Sequence, residues 1–279
     1  MEKLTMNSYA QEVEEGDRFE FGKNWRRFLS VLNDERIAEA EKSLKQMLAV
    51  ENLQGKTFLD IGSGSGLFSL AARRLGAKVH SFDYDTESVA CTKELQCRCF
   101  PDDSNWTIEQ GSVLDVDYLK SLGEFDIVYA WGVLHHTGAM WQALENASLP
   151  VADGGMLFIG IYNDQGGKSL RWRRVKQLYC SGIAGRSLVS IFFIPYFILG
   201  GLAIDLLKAR NPVIRYTKYK KSRGMSRVYD WFDWLGGYPF EVAKPEDIFK
   251  FYQNKGFVLK NLITCGGGLG NNQFVFIKQ

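Results

Sequence analysis

Histidine is scarce in this 279-residue chain: His80, His135 and His136 are too few for a histidine-rich metal centre, and no metal is expected. The five cysteines (Cys91, Cys97, Cys99, Cys180, Cys265) form an odd set without paired zinc spacing. They read as reduced thiols of a cytosolic protein. The first residues place acids where a signal peptide needs basic and then apolar residues, so secretion is not indicated. No internal repeat or low-complexity tract is present. Acids are nearly missing from residues 165–229, where Asp205 stands alone against fourteen Lys and Arg. That local +13 leaves −11 on the rest of a chain whose net charge is only +2.

What is present is ordinary for a globular protein, with 46% hydrophobic and 24% charged residues. The length suits one domain with an insertion, or two domains. The stretch 34–50 has Ile37, Ala40, Leu44, Met47 and Leu48 on one face, with Asp34 as a plausible N-cap, which predicts an amphipathic helix. TFLDI (57–61) reads as a buried strand. Leu67, Leu70, Ala71 and Leu75 follow at helical spacing, and Gly76 ends that helix. AKVHSFD is a second strand ending at Asp83, TESVACTKEL a helix, WTIEQGSVLD a third strand and FDIVYAW (125–131) a fourth. MWQALENASL is a helix closed by Pro150, and GGMLFIGIY (154–162) a fifth strand. Strands alternating with helices predict a parallel sheet covered on both faces.

The alternation stops for about eighty residues and resumes at KPEDIFKFYQNKG (244–256), a helix with Pro245 at its start and Gly256 just past its end. FVLKNLITC and NNQFVFIKQ are then two strands joined by GGGLG. A link that short cannot make a parallel crossover, so these strands pair antiparallel.

Gly62, Gly64 and Gly66 lie between strand and helix, and Asp83 follows about twenty residues later. That pattern lets backbone approach a nucleotide while the acid grips ribose hydroxyls. The glycines run G-x-G-x-G, without the wider gap that seats a pyrophosphate. Asp60, two residues ahead of them, would repel a diphosphate but suit a cationic ligand.

FLDIGSGSG, VHSFDYD, GSVLD and FDIVYAWGVLHHTG, in this order and spacing, resemble the successive motifs of class I S-adenosylmethionine-dependent methyltransferases. The resemblance covers roughly residues 50–162 and 245–279. It implies an α/β, Rossmann-like, seven-stranded, mostly parallel sheet with an antiparallel last strand, helices on both faces and a helical insertion after strand five. By the same resemblance, Asp60, Gly62, Ser63, Gly64 and Gly66 line the methionine part of the donor. Asp83 holds the ribose hydroxyls, Tyr84 lies beside the adenine, and Ser112 and Val113 flank it. The family often has an acid where Ser112 stands. Trp131 and Gly132 are expected to face the methyl donor, and S-adenosylhomocysteine would be the product.

Methyl transfer from a sulfonium depends chiefly on alignment, and a base is needed only for an acceptor that carries a proton at neutral pH. Candidates belong at the C-terminal ends of strands four and five. His135 and His136 stand there and either could serve as base or simply pack. Tyr162, Asn163 and Asp164 could orient the acceptor, or cap the next helix. FEFGKNWRRF (19–28) reads either as surface packing or as a lid anchored by Trp25. DWFDWLGGYPFE (230–241) reads either as packing or as an acceptor wall.

The insertion carries Trp172, Val175, Leu178 and Tyr179 on one helical face, then seventeen uncharged residues (188–204), then a second basic stretch. Pro195 and Gly200–Gly201 interrupt the apolar run, which is at the short limit for spanning a bilayer. A single crossing would also strand the last two strands on the far side. Three readings remain: a packed cap over the acceptor, contact with an anionic membrane or lipid substrate, or RNA binding. Ubiquinone-type O-methyltransferases, which the chain resembles in VLHH and in its insertion, act on lipophilic acceptors.

The expected organisation is a helical lid segment (1–50), a donor-binding core (51–164), a basic and apolar insertion (165–243) and a helix with β-hairpin completing the sheet (244–279). The expected activity is cytoplasmic methylation, peripheral at a membrane, of a small or lipid-like acceptor, with oxygen preferred over nitrogen or carbon. A tRNA-modifying methyltransferase is the nearest alternative. An NAD(P)-dependent oxidoreductase and a non-catalytic binding protein are alternatives of other classes.

Overall fold

A computed structural model describes residues 9–207 and 227–279. Its centre is a seven-stranded sheet in the order β3-β2-β1-β4-β5-β7-β6. The strands are β1 (Thr57–Ile61), β2 (Lys78–Asp83), β3 (Trp106–Gln110), β4 (Phe125–Trp131), β5 (Val151–Tyr162), β6 (Phe257–Ile263) and β7 (Asn271–Lys278). The first five run parallel, and β7 is antiparallel to both β5 and β6. The fold class expected from the sequence is the fold observed.

Strand alternation divides the core into two layers. On β4, Ile127 and Tyr129 face the cluster formed with α3 (Asp34–Leu48), α4 (Leu67–Arg74) and α5 (Thr86–Cys99). Val128 and Ala130 face the other, formed with α6 (Val116–Ser121), α7 (Met140–Ala147) and α11 (Pro245–Gln253). Both faces are thus covered, as a buried parallel sheet requires.

Local details differ from expectation in four places. The cap of α3 is Asn33, whose side chain accepts from the Arg36 amide at 3.1 Å, so Asp34 is the first helical residue. The third strand stops at Gln110, and GSVLD turns instead into α6, capped by Asp115 on the Tyr118 amide. β5 begins three residues early, at Val151. The apolar run is one unbroken helix, α9 (Ile183–Leu207), that continues through Pro195. Pro195 is exposed, so the missing amide falls on the open side of the helix.

The N-terminal segment supplies α1 (Tyr9–Glu14) and α2 (Gly22–Leu29). Of residues 1–50, these two helices lie over the C-terminal ends of the strands, whereas α3 belongs to the core layer. The insertion contributes α8 (Gly167–Cys180), α9 and α10 (Arg227–Gly236). These share a small core of their own, in which Phe19 from the N-terminal segment joins Tyr179, Val189 and Leu235. The second basic stretch, 208–226, lies outside the described residues.

Candidate functional site

The glycine elbow forms because β1 must turn sharply into α4. Gly62, Gly64 and Gly66 all have positive φ (74°, 55° and 78°), a region that costs a side-chain-bearing residue strain. The turn is also crowded. A β-carbon on Gly62 would lie 2.5 Å from Val133, and one on Gly64 would lie 3.0 Å from the Trp25 indole. The Ser63 hydroxyl pairs with Thr92 of α5 at 2.9 Å.

Asp83, at the end of β2, accepts from the Gly64 amide and from the Asp85 amide, each at 2.9 Å. One carboxylate therefore pins the elbow to the start of α5, and with the Tyr84 amide also bonded to it about one lone pair is left for a hydroxyl. Burial pushes its pKa up to about 6. Asp60 is buried on the α4 side of the sheet, where Ser69 donates to it at 2.5 Å. Ser69 continues to Ser81 and Ser81 to the Trp106 indole, a buried chain from β1 to β3. Burial raises Asp60 to about 7, with the Ser69 bond opposing and the charge of Asp83 adding to the rise. A nearby cation would favour ionisation of both carboxyls, and a pyrophosphate would be repelled. The residues present therefore fit S-adenosylmethionine.

The N-terminal segment closes this edge. Asp85 accepts from the Tyr9 hydroxyl and the Gly22 amide, each at 2.7 Å. Tyr84 donates to Glu12 at 3.2 Å, meets Tyr9 edge-on and carries the Arg18 guanidinium 5.2 Å above its ring. Arg18 also bonds Glu12 and the carbonyl of His136. Trp25 lies against Gly64.

Ser112 and Val113 follow β3. The Ser112 hydroxyl accepts from the Leu114 amide at 3.2 Å, and Val113 packs in the α6–α7 core while its carbonyl takes the Asn146 amide. Trp131, 38% exposed, lies across Gly160, where a β-carbon would come within 2.6 Å of the indole. Gly132 turns the chain with φ 77°.

His135 and His136 form a single 3-10 turn with Leu134. The His135 ring is fully buried and packs at a tilt against Tyr162 with centroids 4.0 Å apart. Neither of its nitrogens meets hydrogen-bond geometry with a described group, although the Gly160 backbone slightly favours its charged form. Burial, His136 and Lys176 together hold it neutral. His136 faces the Pro239 carbonyl through Nδ1 at 2.6 Å, so Nδ1 carries the proton and Nε2 the lone pair. Burial lowers its pKa to about 3, the Pro239 bond opposing and Lys176 and Arg18 adding to the fall. Both rings are therefore neutral but weakly basic.

Asn163 departs from expectation. Its amide is held by the hairpin loop, with Nδ2 donating to Gly268 at 3.2 Å and Oδ1 accepting from Asn272 at 3.1 Å. It ties β5 to β7 rather than presenting a group to an acceptor. Asp164 accepts from the Gly166 amide just ahead of α8. Tyr162, in contrast, sits amid aromatic rings: Trp234 at 5.9 Å, Phe240 at 5.3 Å and both histidines. Trp234 and Phe240 of the segment 230–241 thus pack against Tyr162. Sequence reasoning missed Arg18, Glu12 and Lys176, each of which acts across a long stretch of chain, and Ser69, whose hydroxyl joins the nearby Asp60 and Ser81.

A methyltransferase-domain model matches residues 59–157. The ribosomal protein L11 methyltransferase of Helicobacter hepaticus is 38% identical over 86 residues, 30% of this chain and 26% of the relative. The ubiquinone biosynthesis O-methyltransferase of Rhodopseudomonas palustris is 27% identical over 135 residues, 48% of this chain and 50% of the relative. The chain thus spans half or less of the length of these curated relatives. Magnesium protoporphyrin IX methyltransferase from Synechocystis PCC 6803, solved with bound SAH, superposes with TM-score 0.54 at 14% identity, covering 92% of this chain and 94% of that one. Residues 59–157 are thus similar to a methyltransferase domain, and the chain shares the fold of that solved methyltransferase.

Proposed function

We propose that the chain transfers a methyl group from S-adenosylmethionine to a hydroxyl of a small or lipid-like acceptor, working from the cytoplasm at an anionic membrane surface. One observation carries the acceptor class. Aromatic rings run without a break from the apolar helix to the histidine pair: Phe197 on α9, Trp172 on α8, Trp234 on α10, Tyr162 on β5 and His135. Adjacent centroids are 6.4, 5.4, 5.9 and 4.0 Å apart. An apolar acceptor entering by α9 would meet hydrocarbon and ring faces along this whole course.

The helix itself supports the reading. Gly185, Val189, Phe193, Phe197, Gly201 and Asp205 recur every fourth residue and form its packed stripe. Ile191, Phe192, Tyr196, Leu199, Leu202 and Leu206 are exposed. Only 11% of its most apolar window is buried, far less than in a core helix. Lys168, Arg171, Arg173 and Arg174 of α8 are exposed nearby, and each would contribute on the order of 1 kcal/mol at an anionic surface. Because β5 and β7 pair in one sheet, α9 lies in the interface rather than across it.

When bound, the donor supplies the methyl group: the acceptor oxygen forms the new C–O bond as the S–C bond breaks, leaving a neutral thioether, and the acceptor proton passes to solvent. The chain's part is to hold donor and acceptor in line and to exclude water. Incubation with methyl-labelled donor and separate acceptor pools (membrane lipid extract, water-soluble phenols, tRNA, ribosomal protein) tests this. Label in an organic-extractable or small phenolic product is expected. Label confined to tRNA or protein would replace the reading.

A further inference from the structure

The chain has seven tryptophans. Six of them pack against another ring or donate to a hydroxyl. Trp131 does neither among the described residues. It is also the only exposed large apolar side chain on the five parallel strands, at 38%. Both features matter because of where it stands, at the C-terminal end of β4. Open parallel sheets bind their ligands at that end.

The end of β4 is held from two sides. Gly132 donates to the Gly160 carbonyl at 3.2 Å, and the Trp131 indole lies across Gly160 itself, so β5 supports the ring. On the other side Val133 occupies the space beside Gly62, so the turn after β4 abuts the glycine elbow. The order β3-β2-β1-β4-β5 then sets out a row of groups: Ser112 after β3, Asp83 ending β2, the elbow after β1 and Trp131 ending β4. Neighbouring strands are about 4.8 Å apart. A donor with its adenine towards β3 and its ribose on Asp83 extends its methionine half across the elbow towards β4. The sulfonium, which joins the two halves, is the group that comes beside Trp131.

We propose that Trp131 holds the donor's sulfonium against its indole ring, and so distinguishes the charged donor from its neutral product. The inference rests on the methyl-donor reading above. Indole is the strongest cation partner among the aromatic side chains, and the attraction grows where water is excluded. The competing occupant is the ring of an acceptor, which would gain from stacking alone and would not depend on charge. Two observations favour the cation. Asp60, in register with Tyr129, and Asp83, bonded to the Gly64 amide, place acids on the elbow side of the indole. Tyr162, with its own aromatic neighbours, lies one strand further from the elbow, at the end of β5. After transfer the thioether is neutral and loses the contact with Trp131, which favours release of the product.

Calorimetry on the full chain with S-adenosylmethionine and S-adenosylhomocysteine tests this. The wild type should bind the donor about fivefold or more tightly than the product. Trp131→Leu should remove that preference, weakening the donor about fivefold or more and the product less than about twofold. Equal weakening of both ligands, or of neither, overturns the proposal, as does a wild type without preference. Should Trp131→Leu not fold, fluorinated tryptophans installed at position 131 keep the shape and withdraw electron density from the ring. Donor affinity should then fall stepwise with each added fluorine while product affinity stays level. Donor affinity that does not respond to fluorine overturns the proposal. Failure of S-adenosylhomocysteine to bind the wild type would instead remove the methyl-donor reading.

Discussion

Arg18 donates to the carbonyl of His136 across 2.8 Å of space and 118 residues of sequence. The same guanidinium bonds Glu12 and covers Tyr84, so one side chain joins the residues after β2 to the turn after β4. The N-terminal segment is thereby tied to the turn after β4.

Removing that side chain should loosen the lid without disturbing the sheet. A charge-assisted hydrogen bond contributes roughly 1.5–3 kcal/mol. Arg18→Ala should therefore speed S-adenosylhomocysteine release about tenfold or more in stopped-flow, and admit protease to residues 9–29. An unchanged release rate would mean that the segment is static packing.

Asp83 serves two masters, the glycine elbow and the proposed ribose. Asp83→Ala should weaken S-adenosylhomocysteine at least tenfold in calorimetry, about 1.4 kcal/mol. Asp83→Asn should retain one of the two backbone bonds and lose less. Wild-type affinity in the alanine variant would refute the ribose assignment.

The pH response has a definite sign. Burial holds Asp83 at about 6 and Asp60 at about 7, above the ordinary carboxyl value of an unfolded chain. Their contribution to the stability of the unliganded protein is therefore full below about pH 4 and lost as the pH rises through those values. A ligand that needs carboxylates follows the opposite course. From about pH 5 to about pH 8, the melting temperature contributed by this pair should fall while S-adenosylhomocysteine affinity rises. Affinity that is flat over this range would show that neither carboxyl contacts the ligand.

Phe192 and Leu199 belong to the exposed side of α9, away from the packed stripe. Replacing both with serine should abolish flotation with anionic liposomes, each lost apolar contact counting for about 1.5–3 kcal/mol. Melting should be unaffected because neither side chain is buried. Added salt should weaken flotation of the wild type through the arginines of α8. Flotation that survives the double substitution would assign membrane contact to another surface.

Much of the fold was readable because its signals are local. A strand, a glycine turn and an amphipathic helix each declare themselves within ten residues, and the GGGLG link alone requires an antiparallel pair. α6 escaped because six residues carry less than two turns of periodicity and the GSV motif suggested continued strand. α9 seemed interrupted because proline normally breaks a packed helix, yet here it occupies the open side. The glycine elbow and its acids, from Asp60 to Tyr84, were likewise visible as one motif. The contacts around the ends of β4 and β5 were not. Arg18 reaches His136, and Lys176 reaches a carbonyl 58 residues on, by contacts that no short pattern encodes.

The position of β7 bears on how the chain assembles. It fits between β5 and β6, hydrogen-bonded on both sides, although it is the last of the seven in sequence. During synthesis, one edge of β5 stays open until residues 271–278 emerge, and by then the whole of α9 is already outside the ribosome. A nascent chain thus carries an unpaired strand and a greasy helix together, a pairing that invites aggregation. Early capture of α9 by a lipid surface would shorten the time during which both hazards coexist.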